Sequence, residues 1–143
     1  MFREFFAKVV SRIAHRNQKY GTQPYSYHID GVVERVRQTT LSKNHMRRAI
    51  ILAYLHDVIE DAEIPVSILK VLFGAETVSD IKVITRSPKE TYKDYIIAIK
   101  SSGNIVVQTV KLCDLKFNVS NLSESNSLID RYKKAIEYLE WQS

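Results

Sequence analysis

The chain has 143 residues, 45% of them hydrophobic, with only four glycines and three prolines, a size suited to one domain spanning residues 1–143 around one core. Its net charge is +5, yet the basic residues fall in scattered pairs such as Arg47-Arg48 and Lys133-Lys134, without a long tract or interleaved aromatics, which argues against a nucleic-acid partner. Charges at Arg3, Glu4, Lys8 and Arg12 break up the opening segment, and no apolar run reaches the ~18 residues of a membrane span, so no signal peptide and no membrane partner are expected.

Helical periodicity recurs along the chain and strand alternation hardly does, so the expected fold is an all-α bundle of about eight helices. A first helix is predicted over about 2–18, ending before the turn-rich "YGTQPY" with Gly21 and Pro24. A second covers about 28–39. Ser42 caps a third, long helix that runs through His56 to about Asp61. "EIPVSILKVLFG" supplies a fourth, with Pro65 near its start and Gly74 just past its end, and a fifth spans about 75–85. Ser87, Pro88 and Glu90 read as a capping box opening a sixth helix that Gly103 stops. The seventh covers about 104–121, where the β-branched "IVVQTV" runs into "KLCDLKFN" without a turn, and "SLIDRYKKAIEYLEW" makes the eighth. The lone cysteine, Cys113, sits in an apolar stretch and fits a reduced, cytoplasmic setting.

Within the third helix, "AYLHDVIEDA" packs His56, Asp57, Glu60 and Asp61 into six positions of an otherwise apolar segment. On a continuous helix His56 and Glu60 lie one turn apart on one line, Asp57 and Asp61 on the adjacent line, and Ile51, Leu55, Val58, Ile59 and Ala62 on the opposite side. Acids so spaced repel unless a cation or proton sits among them. The seventh helix carries a second polar line, Lys111, Asp114, Asn118 and Asn121, and Asp114 among Leu112, Cys113 and Leu115 needs a partner if it is buried. With His28 at the start of the second helix, the two histidines and two carboxylates His28, His56, Asp57 and Asp114 suit one divalent ion such as manganese, iron or zinc. His15 is expected to pack beneath the site and His45 to be exposed.

The ordered blocks "AH..Q...QPY..H" from Ala14 to His28, then "HDVIED", then Phe73-Gly74, then "VKLCDLKFN" and "EYLEW" resemble the HD-domain metal-dependent phosphohydrolases. They resemble most the hydrolase domain of the Rel/Spo enzymes and the small alarmone hydrolases, over about residues 7–142. The resemblance implies metal ligation by His28, His56, Asp57 and Asp114, usually to manganese. It implies handling of the attacking water by Glu60 and Asp61, a basic catalytic role for Lys111, and nucleotide contacts by Asn118 and Tyr138. The loop before "PY..H" is shorter than in that family. It offers Lys19 alone with Tyr20 beside it in place of an adjacent basic pair, which predicts a weaker preference for guanine.

The expected activity is metal-dependent hydrolysis of a nucleotide, foremost removal of the 3'-pyrophosphate from guanosine tetra- or pentaphosphate. Two alternatives stand beside it: the same chemistry on another nucleotide or phosphorylated cofactor, and a non-catalytic helical module that binds a nucleotide or partner. The absence of a glycine-rich phosphate loop argues against a kinase or ATPase.

Overall fold

A computed structural model describes residues 2–142. Nine helices form among the described residues: α1 Phe2–Ala14, α2 Tyr25–Arg37, α3 Lys43–Leu55, α4 Val58–Ala62, α5 Val66–Phe73, α6 Ala75–Ile84, α7 Tyr92–Ser101, α8 Ile105–Asn121 and α9 Ile129–Glu140. The all-α expectation holds. The sheet content described is one antiparallel ladder of two-residue strands, β1 Lys19–Tyr20 and β2 Gln23–Pro24, turned at Gly21 with φ 60°.

Two helices carry the centre. In α3 every residue from Ala49 to Leu55 is buried, the mark of a helix surrounded on all sides; α1, α2, α6 and α8 all pack on it. In turn α8 packs against α2, α3, α6, α7 and α9. Its start is fixed by Asn104, whose Oδ1 accepts the N–H groups of Val106 and Val107 at 3.1 Å each. The same side chain donates from Nδ2 to Asp80 Oδ1 at 2.8 Å, and Arg48 of α3 donates to Asp80 at 3.1 Å. Asp80 is buried on α6, so one carboxylate braces α3, α6 and α8 together.

Several helix ends differ from expectation. α1 stops at Ala14, four residues early, because the chain must reverse into the hairpin that the Tyr25 N–H closes on the Gln18 carbonyl at 3.0 Å. α2 starts at Tyr25 rather than near 28, with Pro24 pre-set at φ −57° before it. The predicted long third helix is broken: Asp57 leaves the helical region at φ −107°, ψ 1°, and α4 is a separate short helix closed by Glu63 at φ 54°. That break raises the helix count from eight to nine.

The capping box at Ser87–Glu90 does not open a helix. Ser87 N–H does donate to Glu90 Oε1 at 3.4 Å, but Arg86 Nε takes the Glu90 carbonyl at 3.0 Å. Thr91 Oγ1 then accepts the Asp94 N–H at 3.1 Å and starts α7 there. Ser87–Glu90 is a turn, and the cap lies four residues on. The Ser42 cap, accepting from the His45 N–H at 3.3 Å, and the Gly74 stop at φ 88° are where the sequence places them.

α2 lies unusually close to α8. A methyl group built on Gly31 would overlap the Phe117 ring. That ring is itself boxed in by Tyr20, Tyr27 and His28, with centroids 5.7, 5.6 and 5.1 Å away.

Candidate metal centre and adjoining cavity

His28 comes from α2, His56 and Asp57 from the break between α3 and α4, and Asp114 from α8. On an unbroken helix, consecutive side chains diverge by about 100°. The backbone turn at Asp57 lets it and His56 face one point instead. His28, His56 and Asp57 each place a ligand atom within 4.8 Å of the others. Asp114 closes the set, with Oδ1 3.0 Å from His28 Nε2 and 3.4 Å from His56 Nε2. Asp57 Oδ2 lies 3.1 Å from His56 Nε2 and 3.7 Å from His28 Nε2.

These four residues fit a divalent cation. His56 Nδ1 donates to the Ala53 carbonyl at 2.7 Å, because a carbonyl can only accept, and this leaves the Nε2 lone pair aimed at the cluster. His56 is buried and Nε2 has no hydrogen-bond partner, as expected of a nitrogen kept for a ligand role. The two carboxylates are held ionised. Burial pushes Asp57 up, but the neighbouring His56 outweighs it and brings its carboxyl to about 2. Burial likewise opposes ionisation of Asp114, and Lys111 with the two histidines overcomes it, holding the carboxyl well below its usual range. Burial would lower His56, but Asp57 and Asp114 raise it well above its ordinary value. A proton and a metal ion therefore compete for one place. Imidazole nitrogen plus carboxylate oxygen is a borderline donor set, suited to manganese, iron or zinc.

His28, Asp57 and Asp114 line a cavity of about 370 Å3. Glu60 stands at its mouth, accepting the Arg86 backbone N–H at 2.8 Å, and partial burial raises its carboxyl above the usual value. Asp61 beside it accepts from Gln18 Nε2 at 3.2 Å, while Gln18 Oε1 accepts from His15 Nδ1 at 2.7 Å. His15 is buried against Tyr25, centroids 4.7 Å apart, beneath the site as expected. His45, expected to be exposed, is half-buried.

Lys111 is partly buried in the cavity wall, with Nζ 2.9 Å from Asp114 Oδ2 and 5.3 Å from the centre of the Tyr95 ring. It pairs with the Asp114 carboxylate rather than projecting freely into the cavity. Asn118 lines the cavity and accepts the Tyr20 hydroxyl at 2.8 Å. Tyr20 stacks nearly parallel on His28, centroids 5.0 Å apart, and so roofs the metal site from the hairpin. Lys19, also grouped with the site from sequence, is exposed on that hairpin and is not among the residues lining the cavity. Tyr138, the other expected nucleotide contact, faces a neighbouring groove of about 640 Å3 between α7 and α9; the two spaces meet at Tyr92 and Arg131.

Three residues of the site escaped sequence reasoning. The Tyr25 hydroxyl donates to Asp57 Oδ2 at 2.5 Å, and burial followed by the Asp57 charge keeps that phenol protonated far beyond its normal range. The guanidinium carbons of Arg86 and Arg131 lie 5.7 and 4.8 Å from the centre of the Tyr92 ring, and both residues line the cavity. Their sequence neighbourhoods, a turn and the start of α9, carry no motif; only the "QPY" block hinted at Tyr25.

No protein-family model matches the chain, and no curated protein matches it in sequence. Among solved structures, the chain shares its fold with a protein described as a metazoan ortholog of SpoT that hydrolyzes ppGpp and plays a role in starvation responses. The TM-score is 0.78 at 16% identity, over 98% of this chain and 86% of that one.

Proposed function

We propose that this chain is a metal-dependent phosphohydrolase of the HD type acting on a nucleotide, and that its substrate is guanosine 3',5'-bispyrophosphate, from which it removes the 3'-pyrophosphate. The observation that carries this reading is the convergence of His28, His56, Asp57 and Asp114 beside a cavity whose walls hold Arg86, Arg131 and Lys111. A fold shared with a ppGpp-hydrolysing protein supports it.

His28, His56, Asp57 and Asp114 would hold one divalent ion, manganese by preference and iron or zinc as alternatives, and when bound it supplies a Lewis acid beside the attacking water. Glu60 takes the proton from that water as its oxygen attacks the phosphorus next to the ribose 3' oxygen, and Asp61, fixed by Gln18, orients the water. The bond from that phosphorus to the 3' oxygen breaks and the proton held by Glu60 passes to that oxygen, releasing GDP and pyrophosphate. Arg86 and Arg131 bind phosphate oxygens across the cavity mouth, and Lys111 keeps Asp114 anionic as a ligand. Tyr20 offers an aromatic face above the site and Lys19 a nearby cation, so base recognition rests on stacking that every base can share. The buried free Cys113 accords with the reducing cytoplasm.

The test is a manganese-supplemented assay of purified protein on guanosine and adenosine tetraphosphates. The expected products from the guanosine compound are GDP and pyrophosphate, with a guanine preference in kcat/KM under about 1000-fold, or ~4 kcal/mol. A larger preference contradicts the stacking account. Cleavage of neither compound, alongside activity on a simpler nucleotide, transfers the same chemistry to another substrate.

A further inference from the structure

α1 presents its large apolar side chains outward. At about 100° per residue, Ala7, Ser11 and Ala14 share one line. Ala7 and Ser11 are buried and Ala14 packs against the core, so small residues let α1 lie close on α3. The opposite line carries Phe2, Phe5, Phe6, Val9 and Ile13. Phe2, Phe5, Phe6 and Ile13 are 76%, 62%, 54% and 57% exposed. A contiguous stripe of three phenylalanines and an isoleucine in water marks a surface that is covered in use.

The rim of the stripe says by what. Lys8 borders the stripe and Arg16 follows at the helix end, while Arg3 turns toward the core and donates to the Phe73 carbonyl at 3.5 Å and Arg12 is held by Asp30 at 2.6 Å. The acid of α1, Glu4, lies toward the core side and pairs with Arg37 at 3.7 Å. A neighbouring groove of about 650 Å3 holds Arg3, Arg47 and Arg48, and Arg48 is already paired with Glu76 and Asp80. A second copy docked on this face would bring the same cations, Lys8 and Arg16, to both sides of the interface, which opposes pairing. An anionic lipid surface satisfies both features, with aromatic side chains at the acyl boundary and Lys and Arg among the headgroups. No helix among the described residues is long and apolar enough to cross a membrane, so contact through α1 is peripheral.

We infer that α1 docks the protein on anionic phospholipid surfaces through Phe2, Phe5, Phe6 and Ile13, with Lys8 and Arg16 reading headgroup charge. This goes beyond the expectation of no membrane partner, which rested on the lack of a span.

The full chain is sedimented with vesicles of phosphatidylcholine alone and of phosphatidylcholine with about 30% phosphatidylglycerol. Binding to the anionic vesicles should be tighter by roughly tenfold or more and should weaken with salt. The triple variant Phe2→Ser, Phe5→Ser, Phe6→Ser should lose roughly tenfold or more of that binding, and Lys8→Glu with Arg16→Glu a similar amount. Absence of anionic-vesicle binding, equal binding to both vesicles, or unchanged binding by the triple variant overturns the inference. So does a solution dimer that the triple variant dissolves, since the occupant is then a second copy. Should the triple variant fail to fold, Phe5→Trp in a Trp141→Phe chain reports directly: its emission should shift to the blue on anionic vesicles, and no shift overturns the inference. None of these positions lines the metal cavity, so the result is independent of the hydrolase reading.

Discussion

The Tyr25 hydroxyl and the Asp57 carboxylate meet at 2.5 Å, on the same oxygen that faces His56 Nε2 at 3.1 Å. Tyr25 therefore orients the Asp57 carboxylate, a ligand in the proposed centre. Tyr25→Phe should weaken metal affinity roughly 10- to 100-fold and leave the helical content intact. Metal titration followed by circular dichroism checks this; unchanged affinity would mean that Asp57 needs no outside support.

Asp57→Ala removes one of four converging ligands and leaves His56 Nε2 facing Asp114 alone. The native chain should carry about one manganese, iron or zinc by elemental analysis, and the variant essentially none. Full retention of metal by the variant would refute the ligand set.

Glu60→Gln preserves shape and removes the proposed base. Turnover should fall by roughly 100-fold or more with metal content unchanged. The pH profile adds a sign. Burial raises the Glu60 carboxyl, the base acts only when ionised, and activity should therefore climb with pH through an inflection above the ordinary carboxylate range. An acid limb that stays in place in Glu60→Gln assigns it to another group.

Gly31→Ala tests the close approach of α2 and α8. The added methyl must displace the Phe117 ring, which cannot yield freely between Tyr20, Tyr27 and His28. A loss of about 1–3 kcal/mol in chemical denaturation is expected, and Phe117→Leu introduced with it should return part of the loss. A neutral Gly31→Ala would show that the ring relocates at no cost.

Much of this was legible in the chain because it depends on local chemistry. Ser42 announces α3 and Gly74 ends α5, since a side-chain oxygen or a positive φ is required at those places whatever surrounds them. Asp114 stood out because an acid among apolar residues needs a partner, and His56 and Asp57 because of the acids crowded beside them, whereas His28 joined the set through the resemblance. The break at Asp57 was hidden, since periodicity measures which residues share a face and is nearly blind to a single turned residue. The capping box at Ser87–Glu90 misled because its hydrogen bonds close a turn as readily as they open a helix, and Arg86 settled the matter by taking the Glu90 carbonyl. Arg86 also meets Glu60 through its main-chain N–H, a contact to which residue identity gives no clue. Tyr138 sits on the helical spacing expected of it, but the rotation of α9 against α7 turns it to the adjoining groove.

α3 acts as a ruler. It runs 13 residues from the Ser42 cap to the His56-Asp57 break, about 20 Å at 1.5 Å per residue, with both ends fixed by specific groups. A one-residue deletion inside it would swing the His56-Asp57 dipeptide by about 100°, whereas the connections between α2 and α3 and between α4 and α5 do not line the cavity. Length variation in this fold should therefore collect in those loops, and an insertion within α3 should be survivable only when a compensating deletion restores the count before His56.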